Sequence, residues 1–132
     1  MNIPKHLSHK PIVAVDYNDE DSKAGAGDAL FLSIGQATWN DVNSNGKELY
    51  YSAKVFRKAV PSGRWSPQSE ELPFWRVIDL ATLLIAVINN KESEFTHEIV
   101  DHGKYTELRQ YIDNNNGLYQ ERINRLRKLI NG

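Results

Sequence analysis

The chain contains no cysteine, which removes disulfides and thiolate metal sites and leaves packing alone to hold the fold. A reducing compartment suits such a chain, and a cytoplasmic location is expected. No apolar run approaches the ~20 residues of a membrane span, because the longest, residues 80–88, is closely preceded by Arg76 and Asp79. The start, MNIPKHLSHKPIVAV, lacks the apolar core of a signal peptide, so export is not expected. An excess of one charge is also missing: 16 Lys and Arg stand against 17 Asp and Glu, and no global field favours nucleic acid or an anionic membrane. Internal repeats and low-complexity segments are absent from the sequence.

What is present suits one folded domain spanning residues 1–132, with 40% apolar and 25% charged residues. The charge is uneven. Residues 1–66 carry 8 basic and 7 acidic groups, residues 67–118 carry 4 and 9, and residues 119–132 carry 4 and 1. An acidic middle and a basic last helix are read as solvated helix faces that partly neutralise each other, with two separate contact surfaces as the other possibility.

Residues 12–17 (IVAVDY) follow Pro11 and read as a strand apolar on both faces, hence inside a sheet. Residues 30–39 and 48–59 read as two strands joined by the turn-forming NDVNSNGK, an antiparallel hairpin. Alternation places Leu30, Leu32 and Ile34 with Leu49, Tyr51, Ala53 and Val55 on one face. The other face carries Phe31, Ser33, Gly35, Ala37 and Trp39 with Tyr50, Ser52, Lys54, Phe56 and Lys58. The chain is organised around residues 64–90, where a polar lead-in reaches Pro73 and then an almost wholly apolar helix over residues 74–88. Its only polar residues are Arg76, Asp79 and Thr82, three apart on one stripe, so the helix is expected to be covered on most sides. Residues 95–100 show no period that types them. Residues 104–113 and 118–130 carry apolar positions at helical spacing around Asn114, Asn115, Asn116 and Gly117. The expected fold is α+β: a small three-stranded, mainly antiparallel sheet packed on a central apolar helix, with a C-terminal αα-hairpin beside that helix or covering the second hairpin face.

Several short segments resemble a family of small bacterial proteins that is defined only as a domain of unknown function. They are His9-Lys10-Pro11, Ser33-Ile34-Gly35-Gln36-Ala37 with Trp39-Asn40, Ser52-Ala53-Lys54-Val55 with Arg57, and Trp65-Ser66 with Gln68-Ser69-Glu70-Glu71-Leu72-Pro73. The resemblance spans about the first two-thirds of the chain. It implies no activity.

Candidate chemistry therefore rests on the residues. Asp41, Asn43, Asn45 and Gly46 match the first half of a calcium loop, but Ser52 stands where the bidentate Glu belongs, and a plain hairpin turn explains them. Asp16, Asp19, Glu20, Asp21 and Asp28 could gather around a divalent cation, though acidic loops are ordinarily just solvated. His6 and His9 are three apart between Pro4 and Pro11, which argues against a helix presenting both to zinc. No cofactor or metal is expected.

The leading expectation is a binding or protein-interaction module, acting on a protein or small-molecule partner or on a second copy of itself. Its polar pocket would sit at the N-terminus of the central helix, lined by Trp39, Asn40, Lys54, Arg57, Trp65, Gln68, Glu70, Glu71 and Arg76. A small hydrolase or nuclease using Glu70, Glu71 or Asp79 is the first alternative; its plain counterpart is an Arg76–Asp79 pair and glutamates that serve the helix dipole. The second alternative is nucleic-acid binding through Lys54, Arg57 and the basic last helix, which the slightly negative net charge disfavours. The sequence does not decide whether the protein is an enzyme.

Overall fold

A computed structural model describes residues 1–17, 29–37, 50–58, 63–65, 72 and 74–132. The strands are β1 (Lys10–Asp16), β2 (Ala29–Gln36), β3 (Tyr51–Arg57) and β4 (His97–Ile99). The helices are α1 (Phe74–Ile88), α2 (His102–Asn114) and α3 (Asn116–Asn131), with a 3-10 turn at Glu92–Glu94. The fold is α+β, with one antiparallel sheet in the order β3-β2-β1-β4. The sheet thus has four strands rather than three. β4 pairs Ile99 with Val13 and His97 with Val15, and its three residues, HEI, are too few for alternation to show in the sequence. The placement of β1 inside the sheet, expected from its two apolar faces, is what the structure has.

Two irregularities set which side chains share a face. Pro11 brings no N–H to the ladder, and the register slips between Pro11 and Val13, as strand prolines require. A second slip, between Ala29 and Phe31, turns Leu30 to the opposite face from Leu32. The expected grouping of Leu30 with Leu32 and Ile34 is corrected by that one inserted residue. Among the other described residues the hairpin faces stand as alternation placed them, with Ile34 opposite Ala53 and Ser33 opposite Lys54.

The main core lies between the sheet and the helices. Val13, Leu32, Ile34 and Val55 meet Leu83 and Val87 of α1 and Leu108 and Ile112 of α2. Both helices occupy the same face. The opposite face, expected under the last two helices, is instead closed by the N-terminal segment and Trp65: Ile3 and Leu7 pack on Ala14, Phe31 and Phe56. α2 packs on the first face, and α3 meets α1 rather than the sheet.

α1 has the bounds its composition predicts. It stops at Asn90, whose φ of 58° places it in the left-handed region, while Lys91 N–H reaches back to Ala86 O at 2.7 Å and Asn90 N–H to Val87 O at 3.1 Å. Arg109 of α2 also donates to the Val87 carbonyl. α2 begins earlier than its apolar spacing shows, because Asp101 accepts from Lys104 N–H at 3.0 Å and caps it. Only Asn115 separates α2 from α3. The two helices do not pack along one another as a hairpin; α3 leans on the end of α1, where Gln120 donates to Asn89 at 2.8 Å. Among the described residues no helix is long and apolar enough to cross a membrane.

Candidate functional site

α1 is turned opposite to the usual amphipathic helix. Arg76 is buried together with Leu83, Ala86 and Val87 on the side facing the sheet. Asp79 lies half-buried on the same flank and accepts from the Tyr17 hydroxyl at 2.5 Å. The outward side is mainly apolar: Phe74 is 87% exposed and Ile78 65%, with Val77 and Leu84 exposed beside them, and Thr82, exposed on the same stripe, turns its hydroxyl back to donate to Ile78 O at 2.8 Å. The helix is therefore covered on one side rather than on most sides. A single Ile or Phe at a surface needs no explanation, whereas a contiguous stripe of them marks a contact surface.

The face of the sheet under the N-terminal segment holds polar side chains of another kind. His9, only 1% exposed, places Nε2 2.9 Å from Ser33 Oγ and Nδ1 3.0 Å from Ser52 Oγ. Its ring meets Phe56 edge-on at 5.6 Å. Burial, with a smaller push from the Lys54 cation, lowers its pKa from 6.5 to about 4, so the ring is neutral near pH 7. A neutral imidazole has one donor and one acceptor nitrogen, so one serine accepts from it and the other donates to it. Gly35 makes the approach possible: a Cβ there would stand 2.1 Å from Lys10 O and 2.9 Å from His9 Nε2. His9, Ser33, Gly35 and Ser52, which come from three of the resembling segments, thus form one buried fastening. With Ser33 also buried, the arrangement ties the N-terminal segment to the sheet and offers no route for a substrate. A lone histidine between two prolines gave no sign of it in the sequence.

The expected pocket residues fall in different places. Lys54 and Trp65 sit on this fastened face: Trp65 packs on Phe31 at 5.9 Å and edge-on to Phe56 at 5.8 Å, and Lys54 Nζ lies 5.2 Å from the centre of the Phe56 ring. Burial lowers the Lys54 pKa. Phe31 and Phe56 are buried, while Trp65 is half-buried with Lys58 Nζ 5.0 Å from its ring and Tyr50 is exposed. Arg57, opposite Ala29, shares the helix-covered face, and Arg76 lies under α1. The sheet therefore stands between Lys54 and Trp65 on one side and Arg57 and Arg76 on the other. Trp39, Asn40, Gln68, Glu70 and Glu71 lie outside the described residues, as do the calcium-like loop at 41–46 and Asp19, Glu20, Asp21 and Asp28.

Of the acidic candidates, the structure brings Asp16 and Asp79 together at a cavity of about 370 Å³ floored by Val15, Leu32 and Leu83. Among the described residues no three His, Asp or Glu side chains gather closely enough to hold a metal ion. A separate polar knot ties α2 to the end of α1. Tyr105 donates to Glu92, and Arg109 donates to Asn90 Oδ1 at 2.9 Å and to the Val87 carbonyl, capping α1, while Arg109 lies 4.0 Å from Glu92 Oε2.

Residues 1–102 match the model of a family described as a family of unknown function (DUF6530). The chain belongs to that family. The match takes in the whole sheet, the His9 fastening and α1, and ends as α2 begins. No curated protein and no solved structure matches the chain.

Proposed function

We propose that this member of the family is a protein-interaction module whose contact surface is the outward face of α1. The observation that carries the reading is the 87% exposure of Phe74 and 65% exposure of Ile78 on a helix whose charged residues point inward. A helix under selection for folding alone turns Arg76 and Asp79 outward and Phe74 inward; the reverse orientation leaves apolar area that no described residue covers and that a partner would remove from water.

The reading predicts that replacing Phe74 and Ile78 together by Asp leaves a cooperatively unfolding domain and weakens binding of an apolar-surface dye. Loss of folding in that variant would mark the face as scaffold and end the interaction reading.

A second reading, a small hydrolase working through Asp79, is favoured by one observation, the shared cavity of Asp16, Tyr17 and Asp79. It predicts turnover of small ester or phosphate substrates that Asp79→Asn removes without loss of fold. Equal turnover by the variant and the wild type would end it.

A further inference from the structure

We propose that the partner on the α1 face is α3 of a second copy of the same chain. The inference rests on the interaction reading and names its occupant. Within one chain, α3 already packs against α1, but only at its far end: Tyr119 shares a small apolar cavity with Leu84 and Ile88, Gln120 holds Asn89, and Ile123 is buried. Beyond Ile123 the apolar stripe of α3 continues at the same spacing and is bare, with Leu129 78% and Ile130 73% exposed next to Leu126. The bare half of α1 and the bare half of α3 are therefore both continuations of a contact the chain makes with itself. A second copy, placed by a two-fold axis, lets each α3 cover the other chain's Phe74, Val77 and Ile78, and the contact occurs twice.

Area and charge agree with that occupant. Phe74, Val77 and Ile78 on α1 and Leu126, Leu129 and Ile130 on α3 together leave bare on the order of 700 Å² per chain, close to the ~800 Å² per partner of a standard stable interface. Residues 74–118 carry four basic and seven acidic side chains, a net −3, and residues 119–132 carry four basic and one acidic, a net +3. Arg122, Arg125, Arg127 and Lys128 are all exposed on α3. The opposite charge of residues 119–132 and of residues 74–118 taken together steers two copies toward each other, while α1 itself, with Arg76 balanced by Asp79, meets α3 through its apolar side chains.

The absence of cysteine makes the test clean. Two variants, Ile78→Cys and Leu129→Cys, are prepared separately, mixed, and exposed to a mild thiol oxidant. The proposal expects a disulfide-linked dimer holding one chain of each kind, formed at least tenfold faster than either variant links to itself. Faster linking of Ile78→Cys to itself would put α1 against α1 and overturn the assignment of α3, while leaving the contact surface in place. Wild-type protein that sediments as a monomer at 100 µM would overturn the second copy as occupant; the surface reading itself falls only if the Phe74 and Ile78 aspartate variant fails to fold.

Discussion

Two regions of this small protein treat burial in opposite ways. Under the N-terminal segment, polar groups that water would readily accept are taken inside: His9 lies between Ser33 and Ser52, and nothing is left unpaired on its ring. On the outside of α1, Phe74 and Ile78 stand in water with no described residue over them. Burying a neutral imidazole is tolerable because both nitrogens find partners, and what it secures is the attachment of residues 1–9 to the sheet. Leaving an apolar helix face bare has no such return within one chain. On the proposed reading the first region serves folding and the second association, and substitutions should separate them.

The largest effect is expected at Gly35. Adding a methyl group there drives it to 2.1 Å from Lys10 O, so Gly35→Ala is expected to cost about 3 kcal/mol, the upper end for overpacking, read as a lower denaturation midpoint with unchanged slope. Equal stability of the two proteins would mean that the N-terminal segment does not lie on the sheet.

Protonation of His9 comes next. Its pKa falls from 6.5 unfolded to about 4 folded, so between these values the unfolded chain binds the proton more readily. The stability from this site is complete above pH 6.5 and drains away as pH drops toward 4, by roughly 3 kcal/mol in all. His9→Gln removes this slope. A pH profile identical in the two proteins would show that the ring is not buried neutral.

A smaller change is expected where α1 ends. Asn90 holds a φ of 58°, which glycine adopts freely and alanine does not; both variants lose the side-chain acceptor of Arg109, so Asn90→Ala is expected to lose about 1 kcal/mol more than Asn90→Gly. Chemical denaturation of both variants checks the pair, and equal losses would remove the backbone argument.

The smallest effect on folding belongs to the α1 face, and there the contrast with the fastened region is sharpest. Ile78→Asp is expected to shift the stability of the isolated domain by less than about 0.5 kcal/mol, as surface changes do.

How much of this was legible in the sequence differs by residue. The interior position of β1 could be read because Ile12 through Val15 are apolar without alternation, and α1 because its composition changes sharply at Pro73 and Asn89. β4 could not, since His97, Glu98 and Ile99 acquire their strand only by pairing with Val13 through Val15. The fastening was hidden for a similar reason: His9, Ser33 and Ser52 are far apart in the chain, and each alone is an ordinary polar residue. The α1 face was half visible. A helix this apolar announces that several sides need cover, but which side the sheet takes depends on Arg76 and Asp79 finding places inward, a tertiary fact. The lead-in from Trp65 was read as one polar pocket, whereas Trp65 itself packs on Phe31 and Phe56.

The central claim is that the bare face of α1 exists for association, and sedimentation of the wild type beside the Phe74→Asp, Ile78→Asp double variant across a hundredfold range of concentration tests it most directly. The account predicts a wild type that passes from monomer to dimer and a folded variant that stays monomeric throughout. A variant that dimerises as readily as the wild type would contradict it.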